Sequence, residues 1–593
     1  MKKFTEAELE QIFSVSCGDF RFGEEDRKRA LENPELESLI SQLKETQEEY
    51  SATPTATLPF SEFKRYREEG NRSGYEHHYY FRRRKLYYTF FLAWLYGTEK
   101  YISELEDCLW AILDEYTWVI PAHLGETALE SLQEDGHIID LFAAETAQAL
   151  SEIISVIGDK IHPIIVKRVN RMIEQRIFDR IEVPFGWKKS TNNWSAVCAG
   201  AVGMTAIYTM DDPARLAHVT AICLDALEYY LSGFPEDGTC VEGLGYWGYG
   251  FGYYLMYGDL IYRRTGGRIN FFEDEKVHRI AAFARKCFFK GGKIVTFADC
   301  GGSDSSTFQP AFTCKLNDIY PDIEVPERAM LGMKLPTNMA MGFPSNFRTL
   351  LWTHSKLDGN KLSPDTFILP DAQWYISSSE SGMGMAAKGG HNDESHNHND
   401  IGNLLIYKNG VNLLSDLGGG VYNGTYFDNR YRYDVFCCGS QGHNVPIING
   451  CYQKFGKQYC GKDVRITEEG FFADISPAYG IDSLKKLDRS IIFDRSIGAV
   501  TVTDSYSFSE KPESVTERFV SFLAPKIENG EVVIDGGKEK LTISFDQTKL
   551  RPVIREYHDV EHKVRHRDGF VCYMTDLEVI DPTESFTVSI ILK

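Results

Sequence analysis

The chain has 593 residues, 43% of them hydrophobic and 25% charged, a globular composition that excludes a largely disordered protein. That length exceeds one hydrophobic core and points to two or three domains. A formal net charge of −21 argues against nucleic acid or an anionic membrane as the main partner, although basic clusters at Arg82–Lys85, Lys188–Lys189 and Arg430/Arg432 leave a polyanion site open.

The opening MKKFTEAELEQIF carries no apolar core or small-residue cleavage site and does not read as a secretory signal. The expected location is the cytoplasm, or the periplasm or exterior if a signal has been removed. From residue 1 to about 340 apolar residues recur at helical spacing, as in LENPELESLISQLKETQEEY, EKYISELEDCLWAILDEYTWV, TALESLQEDGHIIDLFAAETAQALSEIISVIGDKI and ARLAHVTAICLDALEYYLSGF. Gly, Pro and Asp punctuate them at the rhythm of helical hairpins, and no strict repeat favours a solenoid. No apolar run reaches the roughly 20 residues that span a bilayer, and YYTFFLAWLYG reads as a buried helix. Thirteen cysteines without CxxC pairs, Cys437 and Cys438 being adjacent, read as reduced thiols. Residues 341–364, rich in Pro, Gly, Asn and Ser, read as a linker. From 365 to 593 the period becomes two, and Asn409-Gly410 between apolar runs predicts a hairpin in a largely antiparallel β domain.

Three segments carry residue types suited to chemistry. GGHNDESHNHNDIGN, residues 389–403, is dense in His and carboxylates; on an extended strand His396 and His398 share a face. His398 and His443 with a carboxylate make a metal-ligand set, and spacing alone leaves Asp400 and Asp416 both eligible. STNNW, residues 190–194, places Asn192 and Asn193 at a helix start, where amide donors and the dipole favour an anion such as a uronate carboxylate, beside the plainer reading of an ordinary cap. In EDGTCVEGLGYWGYGFGYYLMYGDL, Tyr246, Tyr249 and Tyr253 fall on one helical face flanked by glycines, which suits a cleft wall. Together these parts suit β-elimination of a 4-linked uronide. The sugar carboxylate is neutralised, a proton leaves C5, and another reaches the departing oxygen.

SHNHNDIGN, the hairpin ending in Ser-Asp, R-x-R, GHN-x-P-x-I-N-G, and NNW with the later EG-x-x-YW together resemble the heparinase II/III-like polysaccharide lyases. The resemblance spans about residues 180–460 in motif form. It implies an α+β multidomain chain, with an N-terminal incomplete (α/α) toroid over 1–340 and a C-terminal antiparallel β-sandwich over 365–593. Carried over by position, Asn193 would neutralise the carboxylate, with Asn192 assisting. Tyr246 would be the acid and in part the base, with Tyr249 second choice for the phenol, and His396 would be the partner base. His398, Asp416 and His443 would hold one divalent metal, zinc first with manganese compatible, in a mainly structural role; the family's step from histidine to aspartate selects Asp416. Substrate contacts would come from Trp194, Tyr249, Glu242, His123, Arg430 and Arg432, and more weakly from Glu115 and Trp118. Trp194 replaces a histidine that several relatives carry there, which shifts weight onto Tyr246. The expected partner is an anionic poly- or oligosaccharide, with no nucleic acid and no membrane. Which glycan and what oligomeric state are not set by the residues. Three alternatives stand beside this reading: a glycoside hydrolase using a carboxylate pair from Asp237, Glu242 and Glu115, a non-catalytic carbohydrate-binding protein, and a metallohydrolase using an open metal site.

Overall fold

The computed structural model describes residues 2–15, 18–124, 138–300, 308–333, 342–357, 359–361, 363–558 and 571–593. The helical segment expected from residue 127 therefore lies outside the described residues up to 137, as does the Pro-Asn-Met stretch before 342. The chain is α+β and divides into two compact units: Met1–Phe234 with Trp247–Ala281 and Phe308–Asn360, and Pro235–Tyr246 with Ala282–Thr307 and Lys361–Lys593.

The first unit is helical. Its central helix, Asn193–Thr209, is buried along nearly its whole length because its sequence is mostly Ala, Gly and other small residues. It packs against Leu141–Ile157, Pro213–Ser232 and Gly252–Thr265. Side chains set the helix starts: Asp140 accepts from Ala143 N, and Asp212 from Ala214 N ahead of Pro213. Leu141–Lys160 is long and apolar enough to cross a membrane by length and composition, but 78% of its window is buried, so it is a core helix here. YYTFFLAWLYG forms the buried C-terminal half of the helix Ser73–Tyr96. Phe90, Phe91 and Trp94 pack on Phe343 and Phe347. Those partners belong to a helix, Phe343–Trp352, inside the segment expected to be a linker. Pro344 stands in the first turn, where its missing N–H costs nothing. Phe343, Phe347 and Leu350 then fall on one buried face, a pattern that the surrounding Pro and Gly obscure in the sequence.

The Arg82–Lys85 cluster is structural rather than a glycan-binding surface. Glu115, 6% exposed, takes Arg82 Nε at 2.7 Å and Arg83 Nη1 and Nη2 at 2.8 and 2.7 Å. Lys85 Nζ donates to Thr53 O. Arg176 lies over Trp118, which is 1% exposed. Glu115 and Trp118 are thus core residues and not sugar contacts, and Glu115 is unavailable to a hydrolase pair. Breaking a buried ion pair leaves an uncompensated charge. Glu115→Gln is therefore expected to lower the urea midpoint of the full chain by the equivalent of about 3 kcal/mol, measured by circular dichroism.

The second unit is antiparallel β. A five-stranded meander runs Thr366–Leu369, Trp374–Ser378, Met383–Lys388, Leu404–Lys408 and Val411–Leu414. Asn409 and Gly410, both at positive φ, close its last hairpin with Lys408 opposite Val411. Eight-stranded and four-stranded sheets follow, and Leu484–Asp494 and Ala499–Phe508 alternate buried and exposed residues, as a sheet with one dry face requires. Met385 and Ile406 of the meander share one core with Ile491 and Val502 of the large sheet. Buried Arg489 pairs with Asp504 and donates to the carbonyls of Gly402 and Asn444, which ties the 389–403 segment and the 440s to the sheets.

Two stretches that the helical period assigns to the first half pack with the sheets instead. Asp237 Oδ2 accepts from Asp371 N and Ala372 N, a fixed structural role for one of the carboxylates considered for a hydrolase pair. Phe289 and Phe297 pack on Tyr407 and Trp374. Residues 235–246 and 282–300 thus belong to the β unit, and Tyr246 with them.

Candidate active site

The 389–403 segment is not the strand expected for it. Beyond the two-residue strand His391–Asn392 it runs through turns and bends, and His396 sits at φ +56. A non-glycine residue in that region is strained, and the surroundings must hold it there. The two histidines do not leave one face of a strand. They converge on a single carboxylate, that of Asp299: His396 Nδ1 meets Oδ2 at 2.8 Å and His398 Nε2 meets Oδ1 at 3.0 Å.

Asp299 is the hub of this unit. Arg432 Nη2 donates to both its oxygens at 3.1 Å, Tyr422 Oη donates to Oδ2 at 3.3 Å, and Tyr426 Oη donates to Oδ1. Burial works to raise its pKa, but the Arg432 charge and the bonds from His396 and His398 hold it well below the usual carboxylate range. The preceding residue, Ala298, is also at positive φ. Gly243, at φ +96, lies where a Cβ would come within 2.7 Å of Phe297 O, so the Glu242–Tyr246 segment and the bend carrying Asp299 lie close together.

That close approach brings the phenol to the imidazole. The rings of Tyr246 and His396 stack with centroids 4.0 Å apart and planes 20° from parallel. Tyr246 Oη hydrogen-bonds Tyr422 Oη, and Glu242 Oε1 lies 3.9 Å from His396 Nε2. An imidazole whose Nδ1–H points at a buried carboxylate presents its Nε2 lone pair to a substrate. The structure thus joins three of the expected residues, Tyr246, His396 and Glu242, and adds Asp299, Tyr422 and Tyr426. The expectation for Arg432 is corrected: it is 4% exposed and its guanidinium is used on Asp299, leaving it no face for substrate. Arg430 pairs with Asp428 in solvent.

A second cluster shares His398 with the first. Donor atoms of His398, Asp416 and His443, all buried, lie within 4.8 Å of one another. Asp416 Oδ2 is 3.2 Å from His443 Nδ1, while Asp400 is bound to Lys388 Nζ at 2.7 Å, so Asp416 is the carboxylate that lies with the two histidines. The donor set fits a divalent metal on a specific observation: His398 Nδ1 is buried with no hydrogen-bond partner, while its Nε2 is oriented by Asp299. His443 Nε2 is likewise oriented by the Cys437 carbonyl at 3.0 Å. Outer partners of this kind fix imidazole ligands around a metal. Asp299, His398 and Cys438 also lie close enough to form a set, but the Asp299 oxygens are already taken by five donors, so the His-Asp-His set is the better one.

The remaining expected residues lie in the helical unit. Asn192 is an ordinary N-cap, its Oδ1 accepting from Trp194 N and Ser190 Oγ. Asn193 is 1% exposed, and a Cβ on Gly250 would come within 3.2 Å of its own Cβ. His123 packs against Trp194 with centroids 4.8 Å apart and planes tilted by 56°, and is held by Asp140 at 2.7 Å. Tyr249 and Tyr253 bond Glu145, whose carboxyl burial pushes up to about 8. A π-helical turn, Trp247–Phe251, follows Tyr246 and interrupts the regular helical register on which the shared face was expected.

No protein-family model matches the chain, and no curated protein matches it in sequence. Solved structures do match in fold. A heparinase III matches with a TM-score of 0.61 over 98% of this chain and 93% of that one, at 13% identity. The heparan sulfate lyase HepC from Pedobacter heparinus matches with a TM-score of 0.56 over 96% and 92%, also at 13% identity. The heparinase III gene product BT4657 matches with a TM-score of 0.57 over 95% and 91%, at 12% identity. The fold is therefore shared with the heparinase III structures over most of the chain.

Proposed function

We propose that the protein is a polysaccharide lyase that cleaves a uronic-acid glycan by β-elimination, leaving a 4,5-unsaturated uronate. The observation that carries the reading is the Tyr246–His396 stack, with the imidazole backed by the buried Asp299 carboxylate. His396 Nε2 takes the C5 proton, the C4–O bond breaks as the C4=C5 bond forms, and Tyr246 gives its phenolic proton to the departing oxygen. Asn193, on the first turn of its helix, is the amide assigned to the sugar carboxylate. At 1% exposure it receives a uronate only if neighbouring groups move aside. His123, Trp194 and Tyr249 are assigned to sugar contacts. The fold shared with a heparinase III and a heparan sulfate lyase supports a glycosaminoglycan as substrate. The test is near-ultraviolet absorbance during incubation with a panel of uronic-acid glycans. A rise with at least one is expected; new reducing ends without absorbance would indicate the hydrolase instead.

His398, Asp416 and His443 are assigned one divalent metal, zinc first, which would brace the turns carrying His396 and Asp299. Chelation is expected to lower the thermal stability of the chain by about 3 kcal/mol, the linkage free energy of a ligand present at several hundred times its Kd. Scanning calorimetry with metal analysis before and after dialysis checks it, with restoration on adding zinc.

A further inference from the structure

The proton that Tyr246 gives away leaves a phenolate, and the structure offers a group to receive that charge. Tyr246 Oη is hydrogen-bonded to Tyr422 Oη, and Tyr422 Oη also reaches Asp299 Oδ2 at 3.3 Å. A hydroxyl has one hydrogen and two acceptor sites. An ionised carboxylate only accepts, so at rest Tyr422 directs its hydrogen to Asp299 and its oxygen accepts from Tyr246. Asp299 does not depend on that one bond, since Arg432, Tyr426, His396 and His398 remain on it. Tyr422 packs against two neighbouring rings, Tyr426 at 4.9 Å and Phe427 at 4.7 Å between centroids.

Resting on the lyase reading above, we propose that Tyr422 is a positioning residue for the acid: its hydroxyl holds the Tyr246 oxygen and turns its hydrogen from Asp299 to that oxygen as Tyr246 protonates the leaving group. The Tyr246 O–H bond breaks, an O–H bond forms on the departing sugar, and the negative charge left on Tyr246 gains a hydrogen bond from Tyr422. The arrangement matters only while a proton must be delivered. Titratable groups facing Tyr246 include His396 against its ring and Tyr422 on its oxygen, with Asp299 and Glu242 one contact beyond.

The test compares wild type, Tyr422→Phe and Tyr246→Phe on two uronides: a natural 4-linked oligosaccharide, and a synthetic one with a nitrophenolate at C4, whose departure needs no proton. For Tyr422→Phe the expected result is a loss of kcat of roughly 10- to 100-fold on the natural substrate, the range of a hydrogen bond to a charged group. KM should stay within about threefold, and on the nitrophenyl ether kcat should also stay within about threefold of wild type. The alkaline limb of kcat on the natural substrate should move to higher pH, because removing a bond to the phenolate disfavours it. Comparing two substrates on one preparation makes the ratio independent of how much protein is folded. Equal losses on both substrates, or no loss on either, would overturn the proposal. If wild-type protein forms no unsaturated product from the natural substrate, the lyase reading fails, and this inference with it.

Discussion

Tyr246→Phe is expected to lower kcat on a uronic-acid glycan by about a thousandfold, within the range that positioned proton transfer contributes. The substitution removes one oxygen and leaves the ring that stacks 4.0 Å from His396, so the turn and the imidazole keep their packing. KM should therefore stay within a few-fold of wild type, since the lost interaction belongs to the transition state rather than to binding. Tyr249→Phe serves as the contrast. Its hydroxyl works on the buried Glu145 carboxyl, so kcat should change far less than with Tyr246→Phe. Comparable losses from both would move the acid away from Tyr246.

The second large effect belongs to Asp299→Asn. Five side chains donate to this carboxylate, and one of them is the buried guanidinium of Arg432. Neutralising one partner of a buried pair costs about 3–5 kcal/mol, chiefly because the other charge is left uncompensated. The substitution should shift the urea unfolding curve by that amount and abolish turnover, because His396 loses the group that fixes its tautomer and its strained backbone loses a tether. Arg432→Met in the same background removes the stranded charge. The double variant should recover part of the stability and none of the activity. Recovery of both would show that Asp299 serves packing alone.

Much of this site is legible in the residues, because local pattern and local chemistry coincide there. The switch from helical to alternating period places the two halves of the fold, and Asn409-Gly410 marks a hairpin that the chain forms. The clustering of His396, His398 and Asp416, with His443 further on, marks the place where donors converge. Asp299 is less legible. It follows the apolar run IVTFA in a stretch whose period says little, and its importance comes from partners 97 to 133 positions away. The only local sign is an acid ending an apolar run, which reads as a buried charge needing partners. Tyr422 and Tyr426 are hidden for the same reason, in a loop without periodicity. Period also misplaces 235–246, since a short stretch packs where its long-range contacts are. The failure of the strand reading over 389–403 is of another kind: a left-handed turn at His396 is imposed by the tertiary bonds to Asp299 and breaks the alternation that the sequence suggests. The helix Phe343–Trp352 was obscured by its own Pro344 and the glycines around it.

The central claim is that these residues break a C–O bond by elimination and not by adding water. The most direct measurement is mass spectrometry of the fragments formed from a uronic-acid oligosaccharide. The account predicts fragments whose masses sum to that of the parent, with a carbon–carbon double bond at the new non-reducing end. Fragments whose masses sum to the parent plus one water, with no double bond, would contradict it.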